Sequence, residues 1–288
     1  MGRRKPATAA RPARPARPAR PARPGAKSPV QRHREPRQTK LPRFFPRLPV
    51  KKRRRRSAPI VAARRGRVVA LWDGSGTSLA AWAAAGFSVQ YVHGVGAAQE
   101  AVAAAGADAG PIVFACAFPP SRDLSIAGAR WFAQKRAKNQ RFQEEAAAVF
   151  ADTEALFRRW GCPYFIEGPS VGRLGRLWRP ADFAYNPCDF GGYLDARDAH
   201  PRHPDVIPRC DAYTRPSGLW VGGGFRCPQR KPVDPLWRYT LGKQGRQHRL
   251  RRVSPLLAVR GDDGRDARAC PPRGFARAVC QRLTGRSA

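Results

Sequence analysis

Four short apolar runs, each shut off by a glycine or proline turn, restrict this chain more than any other feature. They cover residues 67–72, 87–92, 111–118 and 164–167. Residues 78–85 between the first two read as a helix stopped by Gly86. A longer helix is expected from about 139 to 160, with its acids early and Arg158 and Arg159 late, as the macrodipole prefers. Strand, loop and helix in this alternation predict an open α/β sheet starting near residue 67.

The chain before that point is different in kind. Residues 1–67 hold 24 Lys and Arg against the single acid Glu35, a net +23 out of the +35 of the whole sequence. Arg-Pro-Ala repeats through residues 11–24, and residues 51–56 form an unbroken run of six positive charges. Proline at every third position removes backbone donors and favours polyproline II, so residues 1–66 are expected to be a disordered basic arm. Such an arm attracts phosphate polymers by counterion release without reading their sequence. No run of about 20 apolar residues is available to cross a bilayer, and glycine has no third-position period, which excludes collagen. Seven cysteines, an odd number, are scattered through a chain with no apolar stretch after its basic start; this points to a reducing interior.

The turns that close the apolar runs carry the candidate chemistry. Asp73-Gly-Ser-Gly76 follows the first run and precedes the first helix. Glycines there let a cofactor approach backbone amides at a helix N-terminus; a tight turn with nothing bound is the other reading. A ribose is usually held by an acid at the end of the second strand, but this chain has Tyr91-Val-His93-Gly94 and no carboxylate until Glu100. His93 either stands in as a hydrogen-bonding group or is a surface residue. The third run ends in Pro119-Pro120-Ser121-Arg122-Asp123, a rigid loop where an open α/β sheet places its chemistry, and Ser121 is expected to project from it. The fourth ends in Glu167-Gly-Pro169, so Ser121 and Glu167 stand on consecutive strand ends.

Three segments, Asp73-Gly-Ser-Gly76, Phe118-Pro-Pro-Ser-Arg-Asp-Leu-Ser-Ile-Ala-Gly-Ala-Arg-Trp-Phe132 and Pro163-Tyr-Phe-Ile-Glu-Gly-Pro169, are followed by Trp178-Arg-Pro180, Asn186-Pro-Cys-Asp-Phe-Gly-Gly-Tyr193 and His203-Pro204. Asp211-Ala-Tyr-Thr214, Leu219-Trp220 and Pro272-Arg-Gly-Phe-Ala-Arg-Ala278 complete the series. Together, over roughly residues 68–282, they resemble the short DNA cytosine-5 methyltransferases of phages and bacteria. The resemblance implies a Rossmann-like, S-adenosylmethionine-dependent methyltransferase core. Residues 67–169 would form its cofactor-binding and catalytic half, 170–265 a small loop-rich recognition region, and 266–288 a segment completing the core. It implies S-adenosylmethionine at Asp73, Gly74, Ser75 and Gly76, with His93, Phe118, Pro120 and Phe275 around it. Ser121 takes the place of the family's nucleophilic cysteine, and Glu167 the place that holds N3 of an extruded cytosine. Arg122, Arg130, Arg173, Arg176 and Arg179 are expected along the DNA path. A monomer in a bacterial or phage-infected cytoplasm, associated with the nucleoid and without metal, completes the expectation.

The departures from the family are as informative as the matches. A thiol near pKa 8.5 supplies thiolate at neutral pH, whereas a serine hydroxyl needs a positioned base. Cys116 lies five residues upstream, within the expected strand. Gly168 replaces an asparagine, and Ser217-Gly218 stands where the family has Thr-Cys. These erosions imply a degenerate or repurposed enzyme. A non-catalytic DNA-binding protein on the same fold remains open, as does a DNA amino-methyltransferase, although Phe118 precedes the prolines where that chemistry puts an aromatic after them. A zinc module built from Cys188, His200, His203 and Cys210 is a further alternative with irregular spacing.

Overall fold

The computed structural model describes residues 66–106, 109–244, 247–259 and 261–285. All of them belong to one compact unit, Arg55–Ala288. The basic arm expected over 1–66 therefore lies outside the described residues, Gly66 apart.

The apolar runs become strands: β1 (Arg67–Leu71), β2 (Ser88–Val92), β3 (Ile112–Ala117) and β4 (Tyr164–Pro169). Pro111 stays outside β3, but its carbonyl accepts the Arg67 amide at 2.9 Å. β1 is buried at every residue, which places it inside the sheet. Two more strands come from the stretch expected to be a separate recognition region. β5 (Phe183–Tyr185) and β6 (Ser217–Gly222), both within 170–265, join the same sheet. β6 is apolar enough to be buried at four of its six positions and pairs antiparallel with the whole of β4, from Tyr164↔Gly222 to Pro169↔Ser217. The sheet order is β2-β1-β3-β4-β6-β5, with β2, β1, β3 and β4 mutually parallel. β7 (Arg238–Gln244) and β8 (Gln247–Val253) form a separate antiparallel ribbon.

Helices cover both faces. α1 (Ala80–Ala84) follows β1, and α2 (Val95–Ala104) follows β2. α3 (Phe132–Lys138) leads into α4 (Phe142–Trp160), which starts three residues later than expected because the Asn139 side chain caps a turn by accepting the Arg141 amide. The short α5 (Leu174–Leu177) and α6 (Pro255–Ala258) are followed by α7 (Gly261–Ala269) and α8 (Arg273–Thr284). Val68, Phe114 and Phe165 on one face of the sheet pack with Trp82 of α1 and with Phe275 and Val279 of α8. Val69, Ala115 and Ile166 on the other pack with Ala98 of α2 and with Phe150 and Phe157 of α4.

This layering locates the edge where chemistry belongs. The helix after β1 lies on one face and the long helix after β3 on the other, so the neighbouring strands β1 and β3 flank a topological switch point. Their carboxyl ends lead into the glycine turn and the double-proline loop.

Candidate functional site at the strand carboxyl ends

The glycine turn is organised by its own acid. Asp73, only 7% exposed, accepts the amides of Ser75 at 2.9 Å, Gly76 at 3.0 Å and Ser78 at 2.8 Å, and the Ser75 hydroxyl at 2.6 Å. The donors that a phosphate would use are thus consumed by a carboxylate of the chain. Space remains above the backbone: a Cβ added at Gly74 would meet nothing within 4 Å, and Gly76 takes the left-handed φ of +69°. Trp72, directly after β1, holds φ +59°, a conformation that costs a non-glycine residue energy and concentrates at functional edges. At the end of β2, His93 is exposed. The tether from that strand is instead Tyr91, whose hydroxyl donates to the Gly76 carbonyl at 2.7 Å and is pushed up to about 12 by burial and the Asp73 charge. Arg202 reaches across the sequence and donates to the Gly74 carbonyl at 3.0 Å.

Glu167 is a buried carboxylate, 8% exposed, although a glutamate before Gly-Pro usually lies in a solvated turn. It sits one residue beyond the last β3–β4 pair, Ala117↔Ile166, and its neighbour Phe165 packs on the α1/α8 face. Its Oε2 accepts the Tyr185 hydroxyl at 2.7 Å, and its Oε1 accepts Arg215 Nη2 at 2.8 Å and the Ser217 hydroxyl at 3.0 Å. Three of a carboxylate's roughly four acceptor positions are therefore filled. Arg215 also donates to the carbonyls of Arg268 and Cys270, while its buried Nε has no partner among the described residues. Burial opposes the Arg215 charge, but Glu167, Tyr213, Tyr185 and Asp211 together outweigh it and hold the guanidinium above its usual pKa. The Tyr185 hydroxyl is raised well above its usual value by burial and by Glu167.

Cys116 lies between these two acids. Burial raises its thiol well above the usual value; Asp73 adds to this, Ser78 opposes it through a hydrogen bond, and Glu167 adds again. Cys116 stands on β3, between β1, which leads into the Asp73 turn, and β4, which carries Glu167. A thiol held protonated inside β3 cannot serve as a nucleophile. Asp211 accepts the Gly274 amide at 2.8 Å near the start of α8; burial lifts its carboxyl from 3.8 to about 6, against the pull of that amide and of Arg273.

The remaining expected residues divide. Ser121 is half-buried in a turn closed by its own carbonyl, which accepts the Leu124 amide at 3.1 Å; its hydroxyl makes no hydrogen bond among the described residues. Pro120 is exposed beside it. The Phe118 ring packs edge-on against Phe165 at 5.8 Å, and Phe275 is 1% exposed among Phe165, Tyr185 and Phe190. Phe275 is enclosed in the core, whereas Phe118 is only partly buried against it. Arg122, Arg130, Arg173 and Arg176 are exposed. Arg179 is not part of that group: it is bound to Glu154 at 2.9 Å and Asp182 at 3.0 Å, which neutralise it. The alternative zinc ligands are not gathered. Cys188 is buried, Cys210 donates to the Asp195 carbonyl, and His200 and His203 stack on each other at 5.6 Å. Among the described residues no group of three or more His, Cys, Asp or Glu side chains is placed to hold a metal ion. The seven cysteines form no disulfide among the described residues.

A cavity of about 470 Å³ opens between α1 and α8. Its walls include Ala81 and Ala84, Arg273 and Arg277, and it begins at Thr77, whose hydroxyl is 2.7 Å from that of Ser75. No residue expected to hold a cofactor lines it. Sequence reasoning also passed over Arg215, Tyr185, Tyr91 and Arg202. The only available signal for Arg215 was its position directly after the Asp211–Thr214 motif.

Fold and site define a mixed α/β protein with a mostly parallel six-stranded sheet, an architecture compatible with a Rossmann-like fold, and with a charged, buried centre at its strand ends. No helix among the described residues is long and apolar enough to cross a membrane. No protein-family model matches the chain, and no curated protein matches it.

Proposed function

We propose that the protein is a DNA-binding, methyltransferase-like protein that takes S-adenosylmethionine at the 73–77 turn and a cytosine at Glu167, with its covalent step silenced at Ser121. The observation that carries this reading is the buried Glu167 at the carboxyl end of β4, held by Tyr185, Arg215 and Ser217 at the same sheet edge as the Asp73 turn. Asp73 consumes the amides of the glycine turn, which disfavours a dinucleotide's pyrophosphate and suits a nucleoside cofactor without phosphate. The open space above Gly74 accommodates close approach of such a ligand. When bound, that cofactor supplies an electrophilic methyl group.

The chain's own residues account for the base. Glu167 keeps about one acceptor position free, sufficient for an N–H of cytosine's exocyclic amino group or of a protonated ring N3, while Arg215, Tyr185 and Ser217 hold its orientation. Ser121 supplies a neutral hydroxyl with no base beside it among the described residues, so nucleophilic attack on the ring is not supported. The packing has adjusted to the departures. A Cβ at Gly168 would come within 2.8 Å of Phe150 and 3.0 Å of Trp220, and one at Gly218 within 3.0 Å of Ala181 and 3.1 Å of Trp220. The family's larger residues no longer fit there, in keeping with a repurposed scaffold. Amino-methylation is disfavoured because Phe118, the aromatic beside the prolines, is packed against Phe165.

Calorimetric titration with S-adenosylmethionine tests the cofactor assignment. One saturable site per chain is expected, weakened at least tenfold in Asp73→Asn, with no binding of a nicotinamide dinucleotide. No binding by the unaltered protein would leave a DNA-binding protein without a cofactor.

A further inference from the structure

The most exposed apolar side chains near the strand carboxyl ends belong to one small projection. Ser125 and Gly172 form an isolated antiparallel bridge, and on its inner side the Arg173 amide donates to the Leu124 carbonyl at 2.9 Å. Leu124 and Leu174 are fully buried and anchor the two loops in the core. The outer side of the same bridge carries Ile126 and Val171, 64% and 55% exposed. Gly172 makes the approach possible: its φ is +145°, and a Cβ there would lie 2.2 Å from the Leu124 carbonyl oxygen. Gly128 is equally constrained, 2.0 Å from the Arg122 carbonyl oxygen by the same measure. A firmly held base thus presents two aliphatic side chains to solvent, an arrangement that folding alone does not reward.

The rim of this tip is positive. Arg122, Arg130 and Arg173 are exposed on the same two segments, with Arg176 exposed on the adjoining α5, and Arg130 lies 5.0 Å over the ring of Trp131, itself 40% exposed. The one carboxylate of the 121–130 loop, Asp123, is bound by Lys135 at 2.5 Å. A polyanion whose interior is apolar and stacked matches this pattern: cations meet phosphates, and an aliphatic wedge enters between base pairs. From this juxtaposition we propose that Ile126 and Val171 form a wedge that inserts into the base stack of duplex DNA and unstacks it beside the strand-end site. The inference rests on the DNA-binding reading above and names the residues that open the duplex.

Relaxation of closed circular plasmid by a topoisomerase, in the presence of the full chain, reads the insertion without knowledge of a target sequence. Phosphate attraction by itself leaves the linking number unchanged, so the basic arm does not contribute. The unaltered protein and Ile126→Leu/Val171→Leu are expected to shift the linking number. Ile126→Ser/Val171→Ser is expected to bind plasmid within about twofold at matched salt, melt at the same temperature and give no shift. Arg122→Ala/Arg173→Ala is expected to flatten the salt dependence by about two phosphate contacts. A shift that persists in the Ser variant, or plasmid binding by the unaltered protein with no shift, overturns the wedge while the DNA reading stands. Failure to bind plasmid overturns both. Binding to anionic phosphatidylglycerol vesicles that depends on Ile126 and Val171, with no plasmid unwinding, overturns the wedge in favour of a membrane surface.

Discussion

Two buried glutamates, Glu154 and Glu167, are gripped by the same kinds of side chain in different places. Glu154, on α4, accepts the Tyr164 hydroxyl and pairs with Arg179 and Arg158. Glu167, at the end of β4, accepts the Tyr185 hydroxyl and pairs with Arg215 alone among the arginines. Arg158 is 68% exposed, so the Glu154 cluster reaches water and has a second cation in reserve. Glu167 has one cation, 23% exposed, and two neutral donors. Chemistry of side chains does not separate a structural clamp from a candidate site; position on the sheet does. Glu154 ties α4 to the far end of β4, whereas Glu167 lies at the carboxyl edge beside the switch point.

The largest effect should come from breaking the Glu167 clamp. Arg215→Met leaves a buried carboxylate without its cation and is expected to cost about 3 kcal/mol in urea unfolding, largely recovered in the Arg215→Met/Glu167→Gln double variant. Arg179→Met, with Arg158 still in place, is expected to cost about 1 kcal/mol. Equal losses at the two sites would erase the distinction.

Next in size is the packing above Glu167. Gly168→Asn drives a side chain into Phe150 and Trp220, with an expected loss of about 1–3 kcal/mol. An unchanged melting temperature would show that the core yields there.

The smallest effect is pH-dependent and lies outside both clamps. His200 is 2% exposed, and burial, with Arg273, His203 and Arg202 outweighing Asp198, lowers its pKa from 6.5 to about 4. The unfolded chain therefore takes up this proton first. The His200 contribution is whole above about pH 6.5 and declines as pH falls toward 4. Asp211 acts in the opposite sense: its raised carboxyl favours the folded state at low pH, a benefit lost as pH rises from 3.8 to about 6. Thermal melts from pH 7 to 4 should show a shallower acid-side decline in His200→Gln and a steeper one in Asp211→Asn.

The strands of the parallel half and helix α4 were legible because apolar runs and glycine or proline stops are local signals. β6 was visible only as a Leu219-Trp220 match, since its place depends on pairing with β4, not on its own pattern. The role of Arg215 is set by a carboxylate 48 residues away, and that of Arg179 by one 25 residues away. Five arginines looked equivalent along the chain, and only three-dimensional pairing removes Arg179 from the exposed set. Phe118 and Phe275 show the same limit: an aromatic beside a motif reads alike along the chain, yet Phe275 is enclosed in the core while Phe118 is only partly buried.

Covalent trapping on duplex DNA containing 5-fluorocytosine, with S-adenosylmethionine present, tests the strand-end site most directly. Ser121→Cys is predicted to form a denaturation-resistant adduct, while the unaltered protein and Ser121→Cys/Glu167→Gln form none. A Ser121→Cys protein that binds both DNA and cofactor yet traps nothing would contradict the assignment of Ser121 and Glu167 to one base-handling site.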